Sequence, residues 1–292
     1  MPKTRQPRGA RTLAQRWGWA FVAPWIAGFA VFTAWPVFYS LWLSFYQVKI
    51  KVGELETLFI GAANYTRAFT WDTSFVTTYL DTLSFVGLSV PMILVFSVVI
   101  AILLNQKLLF KGFFRAVFFL PFVIISGSVI AELVTNGSTN IGGFHEFVVY
   151  RYLETLPSLL SGPLLYVFDN IVLILWFSSV QVLIVLAGLQ KIDHALYEAA
   201  RIDGATAWQV FWKLTLPDLM PLVQINAVYT VVQLASFPEA PLNQLIRRRM
   251  FEAGITYSYA AALSWMFFLT ALVLIGLFAL LLRPKRDERR PS

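Results

Sequence analysis

Long apolar blocks separated by polar stretches organise this chain, and no two-residue or 3.6-residue alternation runs through the blocks. About 20 consecutive apolar residues carry a helix across a bilayer. Six such blocks are read here, over about residues 17–46, 83–104, 116–135, 164–189, 219–237 and 257–282. The first contains Pro24 and Pro36, so a kink or break is expected near them. It is far longer than the roughly 7–15-residue apolar region of a signal peptide, which makes it an uncleaved span. Residues 47–81 form a polar stretch and 105–115 a short basic loop. Residues 136–163 are rich in Gly and Ser, with a part over 144–156 suited to a helix lying along the membrane surface. Residues 190–218 are charged and mixed, so they should have a structure of their own. No repeat or linker marks off a second domain, and residues 1–292 are expected to form one all-α membrane domain.

Composition agrees with that pattern. Of 292 residues, 58% are hydrophobic and 13% charged, against about 25% charged in soluble domains. So few charges could not cover a soluble core of this size. The net charge of +7 lies between the blocks and at the ends, with no basic stripe interleaved with aromatics, so nucleic acid is not an expected partner. Six spans place both termini on one side. That side carries sixteen of the 23 Lys and Arg, so both termini are expected to be cytoplasmic. Arg247, Arg248 and Arg249 fall on the other side, against the rule. The absence of Cys excludes disulfides, thiol catalysis and thiolate metal sites.

The most informative stretch is LAGLQKIDHALYEAARIDGATAWQVFWKLTLPDLMP, residues 186–221. It reads as two short amphipathic helices. The first, from about His194 to Asp203, sets Leu196, Ala199 and Ile202 along one face and Glu198 three residues from Arg201. Gly204 supplies a bend where a left-handed backbone costs least. The second, from about Thr206 to Leu216, groups Trp208, Phe211 and Trp212, and Pro217 is expected to end it. Small alanines flanked by charge suit a groove in another protein. A helix lying flat on the membrane, anchored by Trp208 and Trp212, fits the same chemistry.

The run Glu198-Ala199-Ala200, with Arg201, Asp203, Gly204, Leu216 and Pro217 around it, resembles the EAA loop of ABC importer permeases. LAGLQKI, LYEAARIDGATAWQVF and TLP resemble specifically the carbohydrate-uptake branch, the maltose and glycerol-phosphate type. WPVFYSLWLSF (35–45), FIGAANYTRAF (59–69), FFRAVFFLPFVI (113–124) and YSYAAALSW (257–265) are similar to other segments of that family, in the same order. Two positions depart from it. Asp193 stands where the family often has Pro, and FPEAPLNQLIRRRMFEAG (237–254) replaces a Gly-Gly-Pro-like outer loop.

The resemblance implies a type I importer permease fold in a bacterial or archaeal cytoplasmic membrane. It implies that the EAA loop is a coupling helix docked in a cleft of an ATP-hydrolysing subunit. Glu198 would then pair with a basic residue of that subunit and Gly204 would give the bend. The implied partners are two ATPase subunits, a second permease subunit, an extracytoplasmic solute-binding protein and membrane lipid. ATP and Mg would sit on the ATPase subunits, with no cofactor on this chain.

Polar groups inside spans are costly in lipid and usually face protein. Ser178, Ser179 and Gln181 in the fourth span, and Gln224, Asn226, Tyr229 and Gln233 in the fifth, can give and accept hydrogen bonds as a neutral polyhydroxyl solute requires. Trp176 and Trp265 offer flat faces to a sugar. The same polar groups equally suit bonds between neighbouring helices. Glu132, near the outer end of the third span, is the one clear acid at depth: either a pathway group or a partner for an arginine among 247–249.

No catalytic constellation is evident. His145 and His194 are far apart in sequence, and no Gly-rich phosphate loop followed by Lys is present, so ATP hydrolysis falls to another chain. The reading is therefore a transporter subunit and no enzyme. The alternatives are a permease for another solute (polyamine, phosphate or peptide), a membrane-embedded lipid-modifying enzyme, and a scaffold subunit with no pathway of its own.

Overall fold

The computed structural model describes residues 8–51, 54–106, 112–113, 116, 132, 148–252 and 257–283. Apolar blocks become helices because a backbone in lipid must satisfy its own hydrogen bonds. Helix α1 (Arg8–Phe29) runs through a π-helical turn (Ala30–Ala34) into α2 (Trp35–Ser44). A hairpin follows, β1 (Tyr46–Lys51) against β2 (Glu54–Phe59), antiparallel from Tyr46↔Phe59 to Lys51↔Glu54. Next come α3 (Ala63–Thr70), α4 (Thr73–Asn105), α5 (Val148–Glu154), α6 (Ser158–Asp169) and α7 (Ile171–Leu189). The chain continues with α8 (His194–Ile202), α9 (Ala207–Val210), a second π-helical turn (Phe211–Thr215), α10 (Leu216–Ala235), α11 (Pro241–Phe251) and α12 (Tyr257–Leu281).

Among the described residues, four helices are long and apolar enough to cross a membrane: Trp17–Ser44, Thr73–Asn105, Ile171–Leu189 and Tyr257–Leu281. They correspond to the first, second, fourth and sixth expected spans. The fifth is α10, 20 residues long, whose Asp218, Gln224, Asn226 and Gln233 dilute its apolar character. The third expected span lies outside the described residues, apart from Ala116 and Glu132.

Several expected boundaries shift, each for a local reason. The second span begins at Thr73, ten residues before the apolar run, because the helix continues through Ser74, Thr77, Thr78 and Asp81. Its 33 residues reach about 50 Å at 1.5 Å each, beyond a bilayer core of about 30 Å. The expected fourth span divides at Asn170 into α6 and α7, and α7 alone has the 19 residues needed to cross. Within the 144–156 part, α5 covers Val148–Glu154.

Neither Pro36 nor Pro217 breaks its helix, which corrects the expected end at Pro217. A π-helical turn ends two residues before each of them, at Ala34 and Thr215. The Trp35 N–H bonds the Ala30 carbonyl, and the Leu216 N–H bonds the Phe211 carbonyl. Widening the turn avoids the clash and the lost hydrogen bond that proline brings to an α-helix interior.

The chain packs as two units. In the larger (Ser74–Leu245 with Phe268–Ser292), Val90, Ile93 and Ala101 of α4 meet Phe177, Val182 and Val185 of α7 and Ala227, Val231 and Leu234 of α10. Lipid tails are as apolar as these side chains, so close packing and interhelical hydrogen bonds hold the helices together. Gly188 permits the closest approach: a Cβ there would lie 2.2 Å from Leu222 Cδ1 and 3.0 Å from Leu219 Cδ2.

The smaller unit (Met1–Thr73 with Ile246–Phe267) is held by polar groups. Asn64 Nδ2 donates to the Ser44 and Tyr46 carbonyls (2.8 and 3.1 Å), closing the end of α2. Trp265 Nε1 donates to Ser40 Oγ at 3.1 Å. Asp72, next to the start of α4, accepts from Arg249 Nη2 and Nε (2.8 and 3.0 Å) and from Tyr259 Oη (3.0 Å). Arg249 also bonds Glu252 at 2.6 Å, and Arg67 stacks on Tyr259 with its Cζ 5.3 Å from the ring centroid. One of the three arginines that defied the charge rule is thus a structural partner of Asp72.

Candidate functional site

The loop over 190–218 is built by local capping. Asp193 sits in an extended conformation (φ −65°, ψ 127°) and its carboxylate accepts the Ala195 N–H at 3.0 Å, starting α8. The departure from the family's Pro at this position is therefore an N-cap, which satisfies one of the donors that every helix start leaves open. At the other end Gly204 has φ +72°. The Gly204 N–H bonds the Arg201 carbonyl (3.1 Å) and the Ala205 N–H bonds the Ala200 carbonyl (2.9 Å). That is a Schellman close, and it needs a left-handed residue after the helix. Thr206 and Gln209 then form a reciprocal capping box at 3.3 and 2.9 Å, which opens α9.

Helix α8 presents two faces. Tyr197 turns inward, with its hydroxyl 3.2 Å from Thr215 Oγ1, and ties α8 to the base of α10. Arg201 shares that side, lining a cavity with His194 and Tyr197. Ala199, Ile202 and Asp203 are exposed, as are Glu198 and Leu196, and Ala200 is half-buried. Ile202 is 86% exposed, an apolar side chain uncovered by this chain. Trp208 and Trp212 stand edge to face with centroids 5.4 Å apart, and both are exposed. Leu216 is half-buried and Pro217 exposed.

Within the spans, the amide side chains among the candidate pathway groups turn toward other helices. Gln181, fully buried, donates from Nε2 to Thr230 Oγ1 (2.9 Å) and Gln233 Oε1 (3.0 Å). Asn226 Nδ2 donates to the Gln181 carbonyl at 3.2 Å, and Thr230 Oγ1 to the Asn226 carbonyl at 2.7 Å. Gln224 Nε2 reaches the Ala279 carbonyl at 2.6 Å, joining α10 to α12. Ser178 and Ser179 return their hydroxyls to the Leu175 carbonyl at 3.0 and 3.2 Å. Trp176 packs among Phe177 and Phe237. Tyr229 is 37% exposed and Gln233 half-buried, and Glu132 is exposed. Three buried polar atoms keep no partner among the described residues: Trp176 Nε1, Gln181 Oε1 and Asn226 Oδ1.

The sequence reading missed Asp72, Tyr197 and Asn243, and gave Thr206 only as a helix start without its capping box. Only Thr206 carried a local signal, its Thr-x-x-Gln spacing before an aromatic run. Asn243 donates to the Ala235 and Phe237 carbonyls (2.9 and 2.8 Å), closing α10 at the start of the segment where the chain leaves the family pattern. Among the described residues no group of acids and histidines could hold a metal ion, and His145 lies outside them.

Helices long and apolar enough to cross a membrane, with a loop capped at both ends that leaves Ile202 uncovered, define a membrane-embedded protein. Residues 68–283 match the family described as binding-protein-dependent transport system inner membrane component, and the chain belongs to that family of ABC importer permeases. Among its relatives, a probable ABC transporter permease protein of Bacillus subtilis is 30% identical over 91% of this chain and 88% of its own. The lactose transport system permease protein of Rhizobium radiobacter is 29% identical over 88% and 91%. The trehalose/maltose transport system permease protein of Thermococcus litoralis is 30% identical over 74% and 72%. In structure the chain resembles a subunit of a bacterial ABC transporter that imports the acidic polysaccharide alginate. That match has a TM-score of 0.67 and 22% identity over 96% of this chain and all of the other. The fold is the type I ABC importer permease fold. The chain is a transport component embedded in a membrane and does not belong to an enzyme family.

Proposed function

We propose that this chain lines the pathway of an ATP-driven importer for a neutral sugar or oligosaccharide, and that α8 is the element through which ATP hydrolysis drives it. The observation that carries the proposal is mechanical. Helix α8 is capped at both ends, tied by Tyr197 to Thr215, and followed by a helix that runs without a break from Ala207 through the π-helical turn into α10. A push on α8 therefore passes into α10, which carries Tyr229 and Gln233 at a spacing of four residues, on one face. The partner that pushes is an ATPase subunit. Its groove receives the exposed Leu196, Ala199 and Ile202, Glu198 pairs with one of its basic residues, and Asp203 flanks the contact, while Arg201 lies on the other side of α8.

The full assembly on this reading has two ATPase subunits holding ATP and Mg, this chain, a second permease subunit and an extracytoplasmic solute-binding protein. Both termini and the α8 loop face the cytoplasm of a bacterium or archaeon. Two observations favour a sugar. α7 has no charged residue and α10 only Asp218 near its start, so the polar groups deep in these two helices are neutral hydrogen-bonding ones. The lactose and trehalose/maltose permeases among the relatives match most of the chain. Of the pathway candidates, Tyr229 and Gln233 face outward enough to meet a solute, while Trp176, Ser178, Ser179, Gln181, Gln224 and Asn226 hold the wall.

The test is ATP hydrolysis by the reconstituted complex, with Glu198→Ala beside wild type and candidate sugars added with the binding protein. Sugar-loaded binding protein should stimulate wild type and leave Glu198→Ala at its basal rate. Equal stimulation of both would sink the coupling role. Stimulation by a polyamine, phosphate or peptide alone would keep the importer and replace the sugar.

A further inference from the structure

A cavity of about 480 Å³ lies behind α8, between the ends of α4 and α7 and the base of α10, all within the larger unit. Asn105, Gln106, His194 and Arg201 bring donors to it, and among the described residues no carboxylate lines it. Among the described residues Arg201 has no acid partner, and the side chains of Asn105 and Gln106 have no hydrogen bond. Tyr197 and Thr215, by contrast, satisfy each other. The rest of the wall is apolar, including Ile102, Leu189, Val210 and Phe211. A cavity that combines unspent donors with an otherwise largely apolar wall suits an amphiphile with an anionic head.

Its depth fits the same conclusion. Asn105 and Leu189 are the last residues of two membrane-crossing helices, so the cavity sits where the bilayer core gives way to headgroups. The exposed Trp208 and Trp212 beside it are the side chains favoured at that level. Lys107 and Lys111 follow Gln106 in sequence. Basic pockets between spans at the cytoplasmic surface attract anionic lipid; placing this one there rests on the orientation proposed above.

We propose that the cavity is a binding site for an anionic phospholipid, its phosphate held by Arg201, His194, Asn105 and Gln106 and an acyl chain lying along Ile102 and Phe211. A lipid seated there would brace α8 from behind while a partner loads its outer face.

The experiment is native mass spectrometry of the purified permease after exchange into an equal mixture of phosphatidylglycerol and phosphatidylcholine. Wild type should retain phosphatidylglycerol over phosphatidylcholine by about fivefold or more, the preference expected from one guanidinium at a membrane surface. Arg201→Gln should lose that preference and Arg201→Lys keep most of it. Asn105→Leu with Gln106→Leu, exposed and outside the α8 loop, should weaken retention without touching the coupling face. Equal retention of the two lipids, or variants indistinguishable from wild type, overturns the site. Displacement of the lipid by millimolar inorganic phosphate assigns it to a soluble anion and overturns the lipid. Loss of the lipid from wild type once ATPase subunits assemble makes the cavity a protein contact, with the same consequence. The orientation is checked separately by the labelling experiment described below, so its failure would not be confused with a failure of binding.

Discussion

Asp72 illustrates how much one side chain can decide in a molecule with few charges. Its carboxylate takes two bonds from Arg249 and one from Tyr259, and the side chains of the two ions are only 8% and 19% exposed. The hydrogen bonds that Arg249 donates to Asp72, and after them the one to Glu252, push its guanidinium's pKa above the usual value. Removing one partner leaves the other charge poorly solvated, which costs more than the pair itself is worth. Asp72→Asn should thus lower stability by about 1–3 kcal/mol, read as a fall in thermal midpoint in detergent. The double variant Asp72→Asn with Arg249→Met should recover part of the loss; no recovery would mean that the pair is not the cause. Gly204 is the second such residue, and here the backbone decides. At φ +72° with no atom within 4 Å of where a Cβ would stand, the obstacle is conformational. Gly204→Ala should cost about 1–2 kcal/mol, and Gly204→Asn less, because Asn visits the left-handed region more readily. Equal effects of Ala and Asn on thermal midpoint would point to lost contacts instead.

At the scale of elements, the pairing of α7 with α10 governs the larger unit. It combines an apolar seam with a polar node of Gln181, Asn226, Thr230 and Gln233. The seam depends on Gly188, where a side chain would collide with Leu222 and touch Leu219. Gly188→Val should destabilise by about 1–3 kcal/mol through overpacking, and Leu222→Ala in the same chain should relieve part of it, seen as a partial return of the thermal midpoint. The node should behave differently. Gln181→Leu removes bonds that are each worth about 0.6 kcal/mol inside membranes, so a small loss of stability is expected. Sugar selectivity should be unchanged, since Gln181 is fully buried. A changed order of preference among sugars in transport assays would place Gln181 in the pathway itself.

For the whole molecule the open matter is orientation, and the lack of Cys makes it directly measurable. Thr57→Cys in β2 and Asp203→Cys after α8 are both exposed positions. A membrane-impermeant maleimide added to intact cells should label position 57 and leave position 203 unlabelled until the membrane is opened. The opposite pattern would invert the topology and with it the face on which an ATPase could dock.

The sequence by itself determined what depends on neighbours along the chain. The helices follow from apolar length, because lipid leaves a backbone no other way to satisfy its hydrogen bonds. The α8 loop was legible in the same way: Gly204 permits a left-handed close, and Glu198-Ala199-Ala200 lies on the helix between Asp193 and that close. Where reading along the chain failed, a distant or geometric term intervened. Pro217 looked like a terminator because its cost to an α-helix is local, yet a π-helical turn starting six residues earlier removes the clash. Arg249 looked misplaced by charge, but its partner lies 177 residues away at Asp72. Gln181 and Asn226 had two readings, pathway or helix bond, because a polar group in a span needs a partner and only packing names it. The tertiary structure alone decided that they face each other across α7 and α10, that Arg201 turns behind α8, and that a cavity waits there with its donors unspent.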